Sequence, residues 1–459
     1  MKTDRIVRRL WSVVLVAGMG LAPLSVSAES LTDAMIGAYR HSGLLEQNRA
    51  TLRAADEDVA QAMATLRPVI NYVGTFTYNN SFSSGRDSSD TTLALTMEQL
   101  LYDFGTSRLG IDIAKESVLA TREALIGIEQ DVLLAAITAF LNVRRDSAQV
   151  NLRNSNLRLI DRELSAARDR FEVGEVTRTD VAIAESRLAA ARSGLALAKG
   201  NLERSNEAYR NAVGRYPGTL SQPPLPPQSA KTLDDARAVG RRTHPNIRRS
   251  MRLVTVQELA IERAMAGMMP RITAEGRVGV NENFDNASSI GIRIGGPIYQ
   301  GGRLSSGVRK AQAGRDGARA GLHTTQHLVE QNIGNAWAQL AVSRASLSAS
   351  DEQVRASTVA FRGVQEEATL GARTTLDVLN AEQELLNARA ARITSDTDQV
   401  TSVYTLLAAM GLLTVEHLGL DIVTYDPNAY YNAVRDAPTR FVSPQGEKLD
   451  RIMKSLGKK

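Results

Sequence analysis

The chain has 459 residues with a formal net charge of +5, and it contains no cysteine. The absence of cysteine excludes disulfide bonds, thiolate chemistry and lipid attachment at an N-terminal cysteine. Residues 1–28, the N-terminal leader, carry four positive charges and one negative charge, so a net charge of about +2 remains on the rest of the chain. A balance this small gives no indication of nucleic-acid binding.

Residues 1–28 have the pattern of a secretory signal peptide. A basic n-region precedes an apolar core, Leu10 to Leu24, and small residues at Val26 to Ala28 form a cleavage site. Arg8 and Arg9 would also suit twin-arginine export, but the residues after them fit that pattern poorly. After the leader we find no run of about 18 apolar residues. We therefore expect an exported protein that enters a membrane only as strands.

Two segments alternate apolar and polar residues with the period of β-strands. In the first, residues 70–79 and 93–98 flank a polar stretch, and in the second, residues 272–281 and 290–295 flank a turn. The pattern predicts two strand hairpins, each with one apolar and one polar face. Aromatic residues lie near both ends of these strands: Tyr78, Phe82 and Phe284 at the turns, and Tyr102, Phe104 and Tyr299 at the other end.

A long proline-free tract, rich in strong helix formers, follows each hairpin. We predict one helix from Thr106 to Glu172 and another from Arg303 to Leu370, each about 100 Å long. A second helix then runs to about Val213 in the first half and to about Met410 in the second. Helices of this length indicate coiled coils, and frequent alanine favours a closely packed wall of several helices.

Short interruptions join the helices of each pair: Val173, Gly174 and Glu175 in the first half, and Leu370, Gly371 and Ala372 in the second. A glycine just past the last helical turn favours a left-handed C-cap. The candidate N-caps of the following helices are Thr177 or Thr179 in the first half and Thr374 or Thr375 in the second. Asp180 and Asp377 would lie near the positive helix ends. Each interruption is therefore predicted to be a helical hairpin tip.

The two halves of the chain repeat each other at an offset of 197 residues. Pairs at this offset include Gly174 with Gly371, Asp180 with Asp377, and Tyr102 with Tyr299. Only two long copies exist, so we predict a duplicated body and not a repeat array. The predicted organisation is a signal peptide (1–28), a first repeat (29–216), a proline-rich linker (217–230), a second repeat (231–412) and a C-terminal segment with a polar tail (413–459).

The strand lengths suit an outer-membrane barrel. About 11 residues tilted by about 40° span its apolar band of about 25 Å. Four strands cannot close, and an open edge in lipid leaves backbone groups without hydrogen bonds. Two chains would give eight strands with a filled interior, whereas three would give twelve strands and a channel. A soluble β-sandwich with helical arms is the alternative, although two hairpins make little sheet for an independent core.

Three segments together resemble the TolC family of outer-membrane efflux and secretion channels: Arg170 to Val181, Leu370 to Leu379, and the corner from Tyr299 to Arg303. The resemblance covers residues 30 to 420. It implies a mainly α protein with a small β part, in which long coiled-coil helical hairpins form a periplasmic α-barrel. Four strands per chain would contribute to a 12-strand trimeric outer-membrane β-barrel, and the segment from Tyr425 could wrap around the tunnel's equator.

The resemblance also implies a function. The protein would be a homotrimeric exit duct in the outer membrane of a Gram-negative bacterium, passively exporting small molecules or proteins in a tripartite efflux pump or a type I secretion system. Its partners would be outer-membrane lipid, a periplasmic adaptor, and an inner-membrane pump such as an ABC or RND transporter, with no nucleic acid and no cofactor. The alternative is a non-conducting periplasmic or surface coiled-coil protein or adhesin.

The gate would lie at the hairpin tips. Asp377 of three chains would form a carboxylate ring facing the pore, and Asn380 stands where the family often has a second acidic residue. Arg373 and Asp180 would correspond to polar links between neighbouring helix pairs, with Thr179 beside them. The alternative for Asp377 and Thr179 is a purely structural role at the helix start. The adaptor would contact Val173, Gly174, Glu175, Leu370, Gly371 and Ala372.

Other motifs give weaker signals. His323 and His327 have the spacing of a zinc pair, which leaves an exported metal enzyme as a third possibility. Gln326 replaces the glutamate of zinc hydrolases and no third ligand is evident, so a solvated helix face is favoured. Gly296 and Gly302 belong to glycine pairs that lie where a strand turns into a helix, and we expect them to relieve crowding there. The sequence therefore favours a protein that is not an enzyme.

Overall fold

The computed structural model describes residues 28–79, 88–224, 230–437 and 451. The elements of the first half are α1 (Leu31–His41), α2 (Gly43–Ala64), β1 (Val69–Asn79), β2 (Ser88–Tyr102), α3 (Thr106–Glu172) and α4 (Arg178–Val213). The second half contains α5 (Leu233–Thr243), α6 (Pro245–Ala266), β3 (Arg271–Asn281), β4 (Asn286–Gly295), α7 (Arg303–Thr369) and α8 (Thr375–Ala409), followed by α9 (Pro427–Val434). The leader before Ala28, Phe82 and most of the predicted tail lie outside the described residues.

The two long helices are equal in length. α3 and α7 contain 67 residues each, and neither tract contains a proline that would break the helix. Each begins after a glycine in the left-handed conformation, Gly105 with φ 90° and Gly302 with φ 84°. The predicted bounds of α3 are confirmed. α7 ends one residue before the predicted Leu370, which is its C-cap.

The four strands form one antiparallel sheet in the order β1-β2-β3-β4. Both predicted hairpins are present, and β2 also pairs with β3. Cross-strand partners share a face, so the register that joins Tyr72, Leu95 and Val278 builds one continuous apolar face. Its large side chains are exposed: Ile70, Tyr72, Phe76, Leu93, Leu95, Val278, Ile290, Ile292 and Ile294. Within the described chain β1 and β4 pair on one side only, so the sheet has two unpaired edges.

α3 is the central helix of a layer that is four helices wide. It packs against α2 and α6 near the sheet and against α4 and α8 further away. An ion pair of 3.3 Å between Arg252 and Glu116 joins α6 to the N-terminal half of α3. Gln149 in its C-terminal half donates a hydrogen bond of 3.0 Å to the carbonyl of Ala390 on α8. α7 packs against α6 and α8 on the far side of the layer.

The main apolar core lies where α1 and α5 cover the layer. Ile137 and Phe140 of α3 are fully buried there with Tyr209 of α4 and Ile333 of α7. One 18-residue window of α3 has a mean hydropathy of 1.7, and 39% of that window is buried. By length and composition alone, α3 could cross a membrane. The apolar part of α3 instead packs into the helical core.

Residues 411–437 cover one face of the layer. Arg122 of α3 donates a hydrogen bond of 2.8 Å to the Asn428 side chain, and Tyr430 donates one of 2.7 Å to Glu57 of α2. These bonds fix the C-terminal segment beside α2 and α3.

Candidate functional site

The two hairpin tips have the same turn. Gly174 with φ 80° and Gly371 with φ 78° adopt the left-handed conformation expected from the sequence. The N–H of Glu175 donates to the carbonyl of Arg170, and the N–H of Ala372 donates to that of Glu367, both at 2.9 Å. These bonds satisfy carbonyls at the helix end that have no partner within the helix, so each chain reverses within a few residues.

Apolar side chains stand at the far end of both hairpins. Val173 is 71% exposed and Leu370 is 84% exposed, and they occupy equivalent positions of the two repeats. Their neighbours Glu175 and Ala372 are exposed as well. Single exposed apolar residues are common, but here they recur at equivalent positions of both tips.

The helices after the tips begin with capping boxes. The hydroxyl oxygens of Thr177 and Thr374 accept from the N–H groups of Asp180 and Asp377 at 3.3 and 3.2 Å. Each aspartate in return accepts from the threonine N–H, at 2.9 and 3.0 Å. These threonine bonds hold the pKa of both carboxyls below the usual value, so both are ionised at neutral pH. Thr179 is not the N-cap; it lies exposed in the first turn of α4.

Arg373 pairs within its own hairpin. Its Nε lies 2.8 Å from Oε2 of Glu367, which belongs to the last turn of α7. The equivalent residues of the first hairpin are Val176 and Arg170, so this ion pair distinguishes the second tip. The predicted link to Asp180 is not made inside the chain, and a link between neighbouring chains stays a prediction.

Arg187 reaches from one hairpin to the other, and the sequence reasoning missed it. It extends from α4 and donates a hydrogen bond of 3.0 Å to Oδ1 of Asn380 on α8. Asn380 is therefore a contact between the two hairpins, one turn above Asp377. A carboxylate at this position would face a guanidinium.

Glu382 is a second contact between the hairpins that sequence reasoning missed. The carboxylate is 3% exposed, and Nδ2 of Asn156 on α3 donates to its Oε1 at 2.6 Å. No described residue bonds to its Oε2. Burial raises the pKa of Glu382 to about 7, the nearby charge of Glu163 adds to the rise, and the Asn156 hydrogen bond opposes it. Leu379, three residues earlier, is buried in the apolar core of the first hairpin.

Comparison with known proteins shows what this arrangement belongs to. The family model for outer membrane efflux proteins matches residues 38–215 and 231–412. The chain belongs to this family. It is 32% identical to the outer membrane efflux protein BepC of Brucella suis biovar 1 (strain 1330), over 95% of this chain and 97% of BepC. It is 24% identical to the outer membrane protein TolC of Escherichia coli (strain K12), over 87% and 86% of the two chains.

Solved structures show the same fold. The open-state outer membrane channel MtrE of Neisseria gonorrhoeae superposes with a TM-score of 0.73 at 19% identity, over 84% of this chain and 89% of MtrE. The predicted fold class is confirmed: this outer membrane efflux protein is a mainly helical channel protein with a small β part. Its predicted role as an exit duct and its location in the Gram-negative outer membrane, with a periplasmic helical extension, are also confirmed.

The histidine pair and the glycine pair that the sequence analysis considered have structural roles in this efflux protein. His323 and His327 contact each other through their Nε2 atoms at 3.2 Å on an exposed face of α7. In the described part of the chain no group of three His, Asp or Glu side chains could hold a metal ion. A Cβ on Gly296 would lie 2.8 Å from Cα of Pro270, so a side chain there would collide with the backbone where the sheet meets the helices.

Proposed function

We propose that three copies of the chain share one 12-strand β-barrel, which continues into a tunnel of helices and serves as the passive exit duct of a tripartite system. The observation that supports this most strongly is the sheet, with its exposed apolar face and two unpaired edges, β1 and β4. Unpaired edges are unfavourable in lipid, and pairing β1 of one chain with β4 of the next removes them. Four strands from each of three chains leave an open lumen.

The partners are a periplasmic adaptor and an inner-membrane pump of the ABC or RND class. The adaptor contacts the hairpin tips at Val173, Gly174, Glu175, Leu370, Gly371 and Ala372. The exposed Val173 and Leu370 support this assignment because they offer apolar area beyond the charged helix faces. The isolated trimer hydrolyses no ATP, so the energy for export comes from the pump. ATP hydrolysis by a trimer shown to be free of pump would contradict this part of the proposal.

The gate comprises Asp377, Asn380, Arg373, Asp180 and Thr179. Asp377 is ionised and fixed by its capping box, so three copies brought to the axis form a cation-attracting ring. The Arg373–Glu367 pair keeps a guanidinium beside that ring. Arg187 ties Asn380 to the neighbouring hairpin, which supports its place in the gate.

Small molecules are the favoured cargo, since BepC, at 32% identity, is named an efflux protein. The test is a deletion strain examined both for sensitivity to dyes, detergents and antibiotics and for its secreted proteome. Increased drug sensitivity with an unchanged secretome supports efflux. Loss of specific secreted proteins alone supports type I secretion. Wild-type behaviour in both assays, together with a monodisperse monomer in detergent by light scattering, would contradict the exit-duct proposal.

A further inference from the structure

The charged residues on the polar face of the sheet lie at different positions along the strands. Nearest the helices, Arg271 pairs with Glu98 at 3.4 Å and Arg293 pairs with Glu275 at 2.6 Å. Glu98 and Glu275 are direct cross-strand partners, an arrangement of like charges that is destabilising without nearby cations. The two arginines therefore neutralise the two glutamates, and the end of the polar face nearest the helices has no net charge from these four residues.

Arg277 lies two residues after Glu275 in β3, on the same face of the sheet. Unlike Glu275, it has no charged cross-strand partner. Its cross-strand partners are Thr96 on β2 and Ser289 on β4, both neutral. Its side chain is exposed, and among the described residues no carboxylate forms an ion pair with it. The guanidinium is therefore a cation that no described residue of its own chain neutralises.

The alternation of side chains along β3 decides on which face of the sheet Arg277 lies. Val278 follows Arg277 in the strand and belongs to the exposed apolar face, so Arg277 belongs to the opposite face. In an outer-membrane barrel the apolar face meets lipid and the polar face lines the lumen. Twelve strands about 4.8 Å apart and tilted by about 40° enclose a cylinder roughly 24 Å across. Three arginine side chains extending inward narrow that space.

We propose that Arg277 forms a ring of three cations inside the membrane barrel, and that this ring attracts anionic solutes and sets an anion preference at the outer end of the duct. The inference rests on the trimeric barrel of the proposed function and goes beyond its gate. Its sign is opposite to that of the Asp377 ring at the periplasmic entrance. A solute leaving the cell therefore meets two selective regions of opposite charge.

Among the described residues, the nearest unpaired acidic residue of the same face does not cancel this ring. Asp90 lies six residues from Thr96 along β2, which corresponds to about 20 Å. At physiological ionic strength charges are screened over about 8 Å, so the two groups act separately. The low-dielectric barrel wall concentrates the field of Arg277 in the lumen. The effect weakens as salt is raised.

The test is the reversal potential of purified trimers in planar bilayers under a tenfold KCl gradient, at low and at high salt. Arg277→Gln should shift the permeability ratio toward potassium by at least about twofold, and Arg277→Glu should shift it further. Arg277→Lys is the matched control, because it keeps the charge and should keep the wild-type ratio. All shifts should shrink at about 1 M salt.

The outcomes separate this inference from the proposed function. If all variants form conducting trimers and neither Arg277→Gln nor Arg277→Glu moves the reversal potential, the arginine ring is wrong and the duct stands. An equal shift in Arg277→Lys would also overturn it, since the charge would not be the cause. If the wild-type protein forms no trimer or no channel, both the ring and the proposed duct fail.

Discussion

Asn156 of α3 donates a 2.6 Å hydrogen bond to the buried Glu382 of α8 and so joins the two hairpins of one chain. At the equivalent place in the first hairpin, Glu185 forms an exposed ion pair of 2.6 Å with Arg168. Gln365 replaces that arginine in the second half. The duplicated halves therefore differ here: one has a solvated ion pair within a hairpin, and the other has a buried carboxylate between hairpins.

The first prediction concerns pH. Burial raises the pKa of Glu382 from 4.5 to about 7, so between these values the folded chain holds a proton that the unfolded chain has lost. Its contribution to stability is complete below pH 4.5 and disappears as pH rises through about 7. The packing of α8 against α3 should therefore loosen from pH 5 to pH 8. Hydrogen exchange of α8 amides, measured across this range, should show it.

Glu382→Gln tests the cause, since it keeps the acceptor for Asn156 and removes the charge. Leaving a buried polar group unsatisfied costs about 1–3 kcal/mol and a charged one costs more, so the variant should be more stable than wild type at pH 8 by at least about 1 kcal/mol. Asp56, whose pKa burial raises to about 6, contributes to the same window in both proteins, so the difference isolates Glu382. Glu185→Gln is the matched control and should keep the wild-type slope. An unchanged slope in Glu382→Gln would contradict the assignment.

The second prediction concerns the entrance ring. Asp377→Asn removes the charge but keeps an oxygen that can accept from Thr374, so the tip and the trimer should persist. The variant should show a reduced cation preference and weaker block by multivalent cations in planar bilayers, because three charges at a constriction are lost. Asp180→Asn makes the equivalent change at the first tip and should shift the preference less, because Asp180 is assigned to a link between helix pairs and not to the ring. Equal shifts in both variants would show that the pore does not distinguish the two tips.

The third prediction uses the contact between hairpins. Asn380→Asp would add a second carboxylate one turn above Asp377, but Arg187 already donates to this position at 3.0 Å. The new charge should pair with that guanidinium, so Asn380→Asp alone should raise cation preference only slightly. Adding Arg187→Gln should release the carboxylate and raise the preference further. Reversal potentials that rank the double variant no higher than the single one would contradict this arrangement.

The sequence predicted local features well because their causes are local. The uninterrupted length of α3 follows from the lack of proline within it, and the left-handed Gly174 follows from its place after the last helical turn. The choice between Thr177 and Thr179 was also accessible, since only Thr177 has an aspartate three residues later, as a capping box requires.

The contacts between hairpins could not be predicted from the sequence in the same way. Asn156 and Glu382 are 226 residues apart, and their meeting depends on how α8 is rotated and shifted along α3. Neither long helix has a clean heptad that would fix that rotation from the pattern alone. The loss of an arginine at Gln365 was visible in the comparison of the repeats, and it is the one signal that could have singled out Glu382.

The last prediction concerns the tip glycines. Gly174 and Gly371 have φ values of 80° and 78°, and a Cβ on either would meet no atom of the chain within 4 Å. Alanine would therefore cause no collision, and its whole effect would be the strain of a left-handed backbone, about 1–2 kcal/mol for each tip. Gly174→Ala and Gly371→Ala should increase hydrogen exchange at the Glu175 and Ala372 amides, respectively, and weaken adaptor binding.

A matched glycine gives the opposite expectation. Gly363 lies two turns before the second tip, inside α7, where a Cβ would also meet no atom within 4 Å and the backbone is not left-handed. Gly363→Ala should stabilise the helix by about 1 kcal/mol, since alanine is the better helix former. Thermal unfolding of the trimers should thus rank Gly363→Ala above wild type and Gly371→Ala below it. If both alanine variants move in the same direction, left-handed strain does not govern the tip, and its sharp turn must depend on contacts made by the partner chains.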